Sequence, residues 1–377
     1  MYKTYVGRDC MIKLIAFYLP QFHVIPENSE WWGEGFTEWT NTKKARPLFR
    51  GHYQPRVPLH NNYYCLLDKD VMVKQMKLAK KYGIYGFCFY HYWYCGKKLL
   101  EKPIEMLLLN KEANLPFCFA WANESWTKTW HGARGSKEVL IEQKYGSRSD
   151  WEKHILYLLK FFEDDRYIKV DNKPVLLVLH LNQIGNIKEM MDVWNECLQN
   201  RGFKGIYLVS MLRGYKGERI KGFKPDASVD FEPGRTINQV DYKKKNKYQW
   251  LMNYKDNFEK IPFLNRVCRK EYNYEQLCRT ALQRRHGKDE LWGVFSGYDD
   301  TPRRKYHASI VRGSDPILFG KYLKETINKS QEEKKEFVFI TAWNEWGEGA
   351  YLEPDQRYGY AYLNEIGKVM SEMNNRE

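Results

Sequence analysis

The segment Trp343-Asn344-Glu345-Trp346-Gly347-Glu348-Gly349 sets two carboxylates three positions apart between tryptophans. Cutting or forming a glycosidic bond needs two such groups. One gives a proton to the departing oxygen, and the other acts as nucleophile or base. Trp343 and Trp346 would supply apolar walls that raise the donor's pKa, and flat faces for sugar rings. Gly347 and Gly349 would let the backbone turn sharply enough to aim both side chains into one cavity. The competing reading is a loop with two solvated glutamates and core tryptophans. A second segment, Trp121-Ala122-Asn123-Glu124-Ser125-Trp126, repeats the Trp, Asn and Glu chemistry and makes Glu124 a rival acid or base.

Both segments end short runs rich in β-branched and aromatic residues. Eight such runs recur at 13–18, 84–92, 116–123, 175–180, 206–211, 227–232, 291–296 and 337–343. Between them, segments 70–82, 101–113, 150–164, 187–200 and 316–330 repeat apolar residues at three- and four-residue spacing, as helices with one buried face do. A last helix is expected over 359–373. Eight alternating units predict a single (β/α)8 barrel, of the TIM type, with its active site at the C-terminal ends of the strands. A doubly wound sheet is the rival, without a strand–GxGxxG–helix fingerprint to support it. Two insertions interrupt the alternation. Residues 19–67, after strand one, read as an ordered loop over the barrel mouth; residues 233–289, after strand six, carry a basic run at 243–247 and an amphipathic stretch at 274–285. The core is expected over about 13–366, as one catalytic unit covering 1–377.

Other strand ends add hydroxyl-reading and stacking groups: Tyr18, Gln21 and His23; His91, Tyr92 and Trp93; His180; Tyr298, Asp299 and Asp300. The first insertion contributes Trp31, Trp32, Glu34, Glu38 and Trp39, read either as a substrate lid or as a loop stapled by aromatic packing. With Trp121, Asn123, Glu124, Trp126, Arg303, Arg304, Trp343, Asn344 and Trp346, these residues other than Trp31, Glu34 and Asp300 form the expected substrate-binding set. Asp68 and Asp70 resemble a metal–diphosphate motif, but open a helix and read as N-capping.

The composition narrows the classes. The net charge is +14, from 61 Lys and Arg against 47 Asp and Glu, and 16% of the residues are aromatic. An apolar fraction of 43% excludes disorder for most of the chain. No apolar run reaches the length of a membrane span, and no cleavable leader is evident, so a cytoplasmic protein is expected. The eight cysteines form no Cys-x-x-Cys pair and read as reduced thiols, and Cys and His never cluster with zinc spacing. Neither metal nor cofactor is expected. The basic residues are dispersed and no nucleic-acid module is present.

Six segments carry a resemblance: 18–41 (YLPQFHVIPENSEWWGEGFTEWTN), 51–58 (GHYQPRVP), 86–108 (GFCFYHYWYCGKKLLEKPIEMLL), 121–132 (WANESWTKTWHG), 299–305 (DDTPRRK) and 342–363 (AWNEWGEGAYLEPDQRYGYAYL). In this order they resemble the WbsX family, which is similar to glycoside hydrolase family 99 and is usually encoded among genes for O-antigen or capsule synthesis, where its members are labelled glycosyltransferases. The resemblance implies a (β/α)8 barrel with its catalytic pair at Glu345 and Glu348. In family 99, retaining endo-α-mannosidases, the first glutamate assists the sugar's own 2-hydroxyl and the second is general acid and then base. That implies Glu348 as proton donor, Glu345 as base and Glu124 in substrate binding. The chain departs from the pattern at His131, where an Asp is common, and at 231–234 (FEPG).

The expected activity is formation or remodelling of a glycosidic bond in surface-polysaccharide assembly. A retaining endo-acting hydrolase using the same pair is the alternative, and a catalytically silent glycan-binding protein the third. Expected partners are an oligo- or polysaccharide, either lipid-diphosphate-linked or with a nucleotide-sugar donor, and an anionic membrane at the inner face. Arg303, Arg304 and Lys305 are placed to meet a diphosphate.

Overall fold

The computed structural model describes residues 12–128, 138–214, 220–247 and 270–375. His131 and the side chains of the basic run 243–247 lie outside the described residues. Eight parallel strands close into a barrel in chain order: β1 Lys13–Tyr18, β2 Gly86–Tyr94, β3 Phe117–Trp121, β4 Lys173–Val178, β5 Tyr207–Leu212, β6 Ala227–Asp230, β7 Glu290–Phe295 and β8 Phe337–Thr341. The pairing of β1 with both β8 and β2 closes the ring. Helices α1 Lys69–Lys81, α2 Lys102–Leu109, α3 Arg148–Phe162, α4 Ile187–Gln199, α5 Gly234–Lys247, α6 Tyr274–Leu282, α7 Pro316–Glu332 and α8 Ala361–Asn374 accompany the strands. No helix among the described residues is long and apolar enough to cross a membrane.

Local chemistry sets the helix starts. The Asp68 carboxylate accepts from the Asp70 amide at 3.0 Å, which is the capping role expected of it. Asp315 caps α7 ahead of Pro316, and Ser147 and Asp150 form a reciprocal box at the start of α3.

Successive strand side chains point to opposite faces, so alternate residues fill the barrel and the others meet the helices. Phe17 packs on Tyr90, Phe231 and Phe339 at ring distances of 5.8, 5.3 and 5.6 Å, making the barrel interior an aromatic plug. Tyr18, one position on, faces outward and donates to Gln75 of α1 at 2.5 Å. The first insertion forms the short helices Pro26–Trp32 and Glu38–Lys44. It is stapled down: Trp39 packs on Phe22, Tyr64 and Trp346, and donates its indole N–H to the Tyr64 carbonyl at 2.8 Å.

Candidate active site

A cavity of about 370 Å³ opens at the C-terminal ends of the strands, and every strand or the loop after it supplies lining residues. Leu19 and Gln21 follow β1, and Tyr90 and Tyr92 lie on β2. Ala122 and Glu124 follow β3, Leu179 follows β4 and Arg213 follows β5. Phe231 and Glu232 follow β6, Tyr298, Asp300, Arg303 and Arg304 follow β7, and Thr341, Glu345 and Glu348 close the ring.

Arg303 is the electrostatic centre of this cavity. Its Nε donates to Glu38 Oε1 at 3.0 Å, its Nη1 to Glu348 Oε1 at 2.5 Å and its Nη2 to Glu345 Oε2 at 3.3 Å. One guanidinium thus joins three carboxyl groups, an arrangement its planar fork suits and a lysine's single ammonium does not. Burial is the main force raising Glu345 to about 8; the nearby Glu348 adds to it and Arg303 opposes it. Glu38 is likewise raised by burial against the pull of Arg303. Glu348 is the more open of the pair, with its side chain 27% exposed against 7% for Glu345. Asp300 rises to about 7, again chiefly through burial, although Arg304 lies 3.2 Å away.

The residues around the pair hold it in place. Asn344 clamps the backbone at the end of β1, accepting from the Leu19 amide at 2.8 Å and donating to the Leu19 carbonyl at 3.0 Å. Glu353, pushed up to about 7 by burial, accepts from Trp346, Tyr64 and Gln75. Asp299 accepts from Gln54 and Thr301 and lies 2.8 Å from His52 Nε2, which ties the first insertion to the loop after β7. Gly347 serves a purpose other than the sharp turn expected of it: a Cβ there would collide with the Glu38 carboxylate. Gly349 does take a left-handed φ of 60°.

Of the expected site residues, Gln21, Tyr92, Glu124, Tyr298, Arg303, Arg304, Glu345 and Glu348 line the cavity. Glu38 stands directly behind Arg303. The expected tryptophan platforms are corrected by the structure. Trp343 and Trp346 are enclosed, and Trp346 stacks on Tyr351 at 3.8 Å, so neither face is open to a sugar. Strand parity accounts for a second correction. Tyr18, His91, Trp93 and Trp121 stand on the helix-facing side, where His91 Nε2 meets His154 Nε2 of α3 at 2.9 Å and His154 stacks on Trp93 and meets Trp121 edge-on. His23 is buried with its Nδ1 3.0 Å from the Pro20 carbonyl, and Trp126 is buried against Tyr92 and Trp31. Trp32 lies half-buried beside Phe36. Asn123 acts as a brace, donating to Tyr145 and the His180 carbonyl, while His180 Nε2 sits 3.4 Å from Glu124. Asn344 and Asp299 belong to the supporting layer described above. The donors of Arg303, expected to meet a diphosphate, are directed at carboxylates.

The sequence reading missed Tyr90, Arg213, Phe231 and Glu232. Tyr90 was recoverable, because it shares the parity of Tyr92 on β2. Arg213 carried no motif signal. Among the described residues no group of three or more His, Cys, Asp and Glu is placed to hold a metal ion.

The fold is a (β/α)8 barrel, and the family to which the chain belongs makes it a carbohydrate-active one. The chain matches the glycosyltransferase WbsX family over residues 14–366 and belongs to it. It is similar to protein WxcX of two Xanthomonas campestris pv. campestris strains, 37% identical over 362 residues in strain B100 and 36% in strain ATCC 33913. Each match covers 95% of this chain and 49% of the relative, so the chain spans about half the length of these relatives. Among solved structures, the glycoside hydrolase family 99 endo-α-mannosidase of Bacteroides thetaiotaomicron shares the fold, with a TM-score of 0.55, 14% identity and 98% coverage of both chains. A glycoside hydrolase-like protein gives 0.56 at 11% identity, covering 95% of this chain and 94% of that one.

Proposed function

We propose that this barrel forms or remodels a glycosidic bond in surface-polysaccharide assembly, with Glu345 and Glu348 as the proton-exchanging pair. The observation that carries the reading is one arginine holding both carboxyl groups at the wall of a cavity fed by all eight strands, in a WbsX-family chain. Burial keeps the proton on Glu345 in the unliganded protein, whereas Glu348 is ion-paired and more open to the cavity. Glu345 is therefore the resting donor and Glu348 the base or nucleophile. This reverses the roles implied by the family 99 resemblance. The acceptor is an oligo- or polysaccharide, and the donor a nucleotide sugar or lipid-diphosphate-linked glycan handled at the cytoplasmic face.

Glu345→Gln and Glu348→Gln test the pair directly: each is expected to lower turnover of the true glycan about a hundredfold or more while leaving measurable residual activity, and unchanged activity in either would sink the assignment. Their pH profiles test the roles. Loss of the alkaline limb with Glu345→Gln supports it as donor, and loss of that limb with Glu348→Gln restores the resemblance's order.

The second reading, a retaining endo-acting hydrolase, rests on the same pair with water as acceptor and on the fold shared with the endo-α-mannosidase. Incubation with polysaccharide separates the two. New reducing ends without a donor mark the hydrolase, and extension only with a donor marks the transferase. A silent glycan-binding protein would bind saturably after loss of both glutamates and turn nothing over.

A further inference from the structure

Among the described residues most charges that line the cavity are paired, Glu124 lies 3.4 Å from His180 Nε2, and Arg213 is left without a carboxylate partner. Glu345 and Glu348 share Arg303, Glu232 accepts from Arg284 at 2.8 Å, Asp241 pairs with Lys270 at 2.7 Å, and Asp300 pairs with Arg304. Arg213 also lines the cavity, and among the described residues no carboxylate lies within ion-pair distance of it. Its guanidinium instead lies 5.7 Å from the centroid of the Phe231 ring, a contact that orients the fork without neutralising it.

Arg304 presents the second part of the same wall. Its Nε lies 3.2 Å from Asp300 Oδ2, and its side chain is 55% exposed. Arg213, Arg304 and Tyr298 all line this one cavity, so both guanidinium groups and the phenol contribute to its wall.

We propose that Arg213 and Arg304 form a subsite for an anionic oxygen group of the substrate, a phosphate or a carboxylate, beside the acidic pair. This deepens the reading of the cavity as a glycan-processing site and rests on it. The chemistry of the two side chains supports it, since a guanidinium fork matches both oxyanions bidentately and an unpaired cation loses little by exchanging water for one. A substrate that brings a neutral sugar to the glutamates and an anion to the arginines matches the cavity at both ends. Two sources share this chemistry: a diphosphate, as in a nucleotide sugar or lipid-linked glycan, and a uronic acid within the polysaccharide.

Titration calorimetry of the full chain with inorganic pyrophosphate, and separately with glucuronic acid, distinguishes the sources. At least one is expected to bind, with affinity falling about tenfold or more in Arg213→Ala and in Arg304→Gln. Arg213→Lys is expected to retain part of it. Lys224→Ala, a cation outside the cavity that pairs with Asp289, is expected to bind as the unaltered chain does. Pyrophosphate alone identifies the phosphate source, and glucuronic acid alone the uronic acid. Failure of both probes to bind, or binding that Arg213→Ala leaves unchanged in a protein of unaltered Tm, overturns the proposal. Glu345→Gln keeps the two readings apart. The subsite predicts that this variant still binds the anion, whereas the catalytic reading predicts that it loses turnover.

Discussion

Arg303 Nε donates to Glu38 Oε1 at 3.0 Å, and the Glu38 side chain is wholly enclosed. The carboxylate thereby holds the guanidinium whose other nitrogens reach the catalytic candidates. It also adds a negative charge that helps raise Glu345. Replacing it with glutamine keeps the oxygen acceptor and removes that charge, so Arg303 acts more fully on the remaining two acids. The alkaline limit of activity is expected to move below that of the unaltered enzyme in Glu38→Gln. Glu38→Ala, which leaves a buried cation with an unfilled contact, is expected to lose about 3–5 kcal/mol in denaturant unfolding. An unmoved alkaline limb in Glu38→Gln would reduce Glu38 to packing.

Gly347 gives an independent route to the same relationship. A Cβ at this position would run into the Glu38 carboxylate and lie 3.1 Å from Arg303 Nε. Gly347→Ala is therefore expected to displace the clamp and lower kcat by about a hundredfold, the scale on which a shift of about 1 Å in a catalytic group acts. Gly185→Ala is the control, since no atom lies within 4 Å of its added carbon. Equal kcat in the two variants would show that the clamp does not position the pair.

Much of this architecture is legible in the sequence because a closed barrel repeats one pattern. The β1 run at 13–18 reads directly as a buried strand, and the other seven overlap the observed ones with ends shifted by a few residues. The doublet of Glu345 and Glu348 and its place after the eighth strand are legible for the same reason. What is not legible is depth. Trp343 and Trp346 read as sugar platforms because composition says aromatic and not which face is covered, and both are enclosed by neighbours distant in sequence. The same holds for His91, whose one-residue offset from Tyr92 sends it to α3 instead of the cavity. Convergence is also hidden. Glu38 and Arg303 lie 265 positions apart, and nothing in either segment announces the other.

The raised Glu345 leaves a mark on stability as well as on catalysis. Its value in the fold is about 8, against 4.5 for an unperturbed glutamate. A carboxyl that binds its proton more tightly when folded stabilises the fold fully below the unfolded value, and that contribution is lost as pH rises toward the folded one. Glu345→Gln cannot ionise. Urea unfolding between about pH 5 and about pH 9 is expected to show the unaltered protein losing stability relative to this variant as pH rises. Parallel curves would place the proton elsewhere in the cluster.

The outward-facing histidine pair has the opposite sign. Burial, aided by Lys98, lowers His91 to about 3, and burial with His91 itself lowers His154 well below the usual imidazole range. Their Nε2 atoms lie 2.9 Å apart, so one ring donates and the other accepts, and protonating either would set two donors face to face. A base whose folded pKa is depressed stabilises fully above its unfolded value near 6.5, and that contribution is lost as pH falls toward the folded value. In His154→Gln a neutral amide replaces one titrating ring and His91 still titrates. Stability is therefore expected to fall about half as steeply between about pH 6.5 and about pH 4 as in the unaltered chain. Because the pair packs against α3 and not the cavity, kcat/KM at neutral pH is expected to stay within about twofold. A large loss of kcat/KM at unaltered Tm would mean that β2 transmits the outer face to Tyr90 and Tyr92 on the inner one.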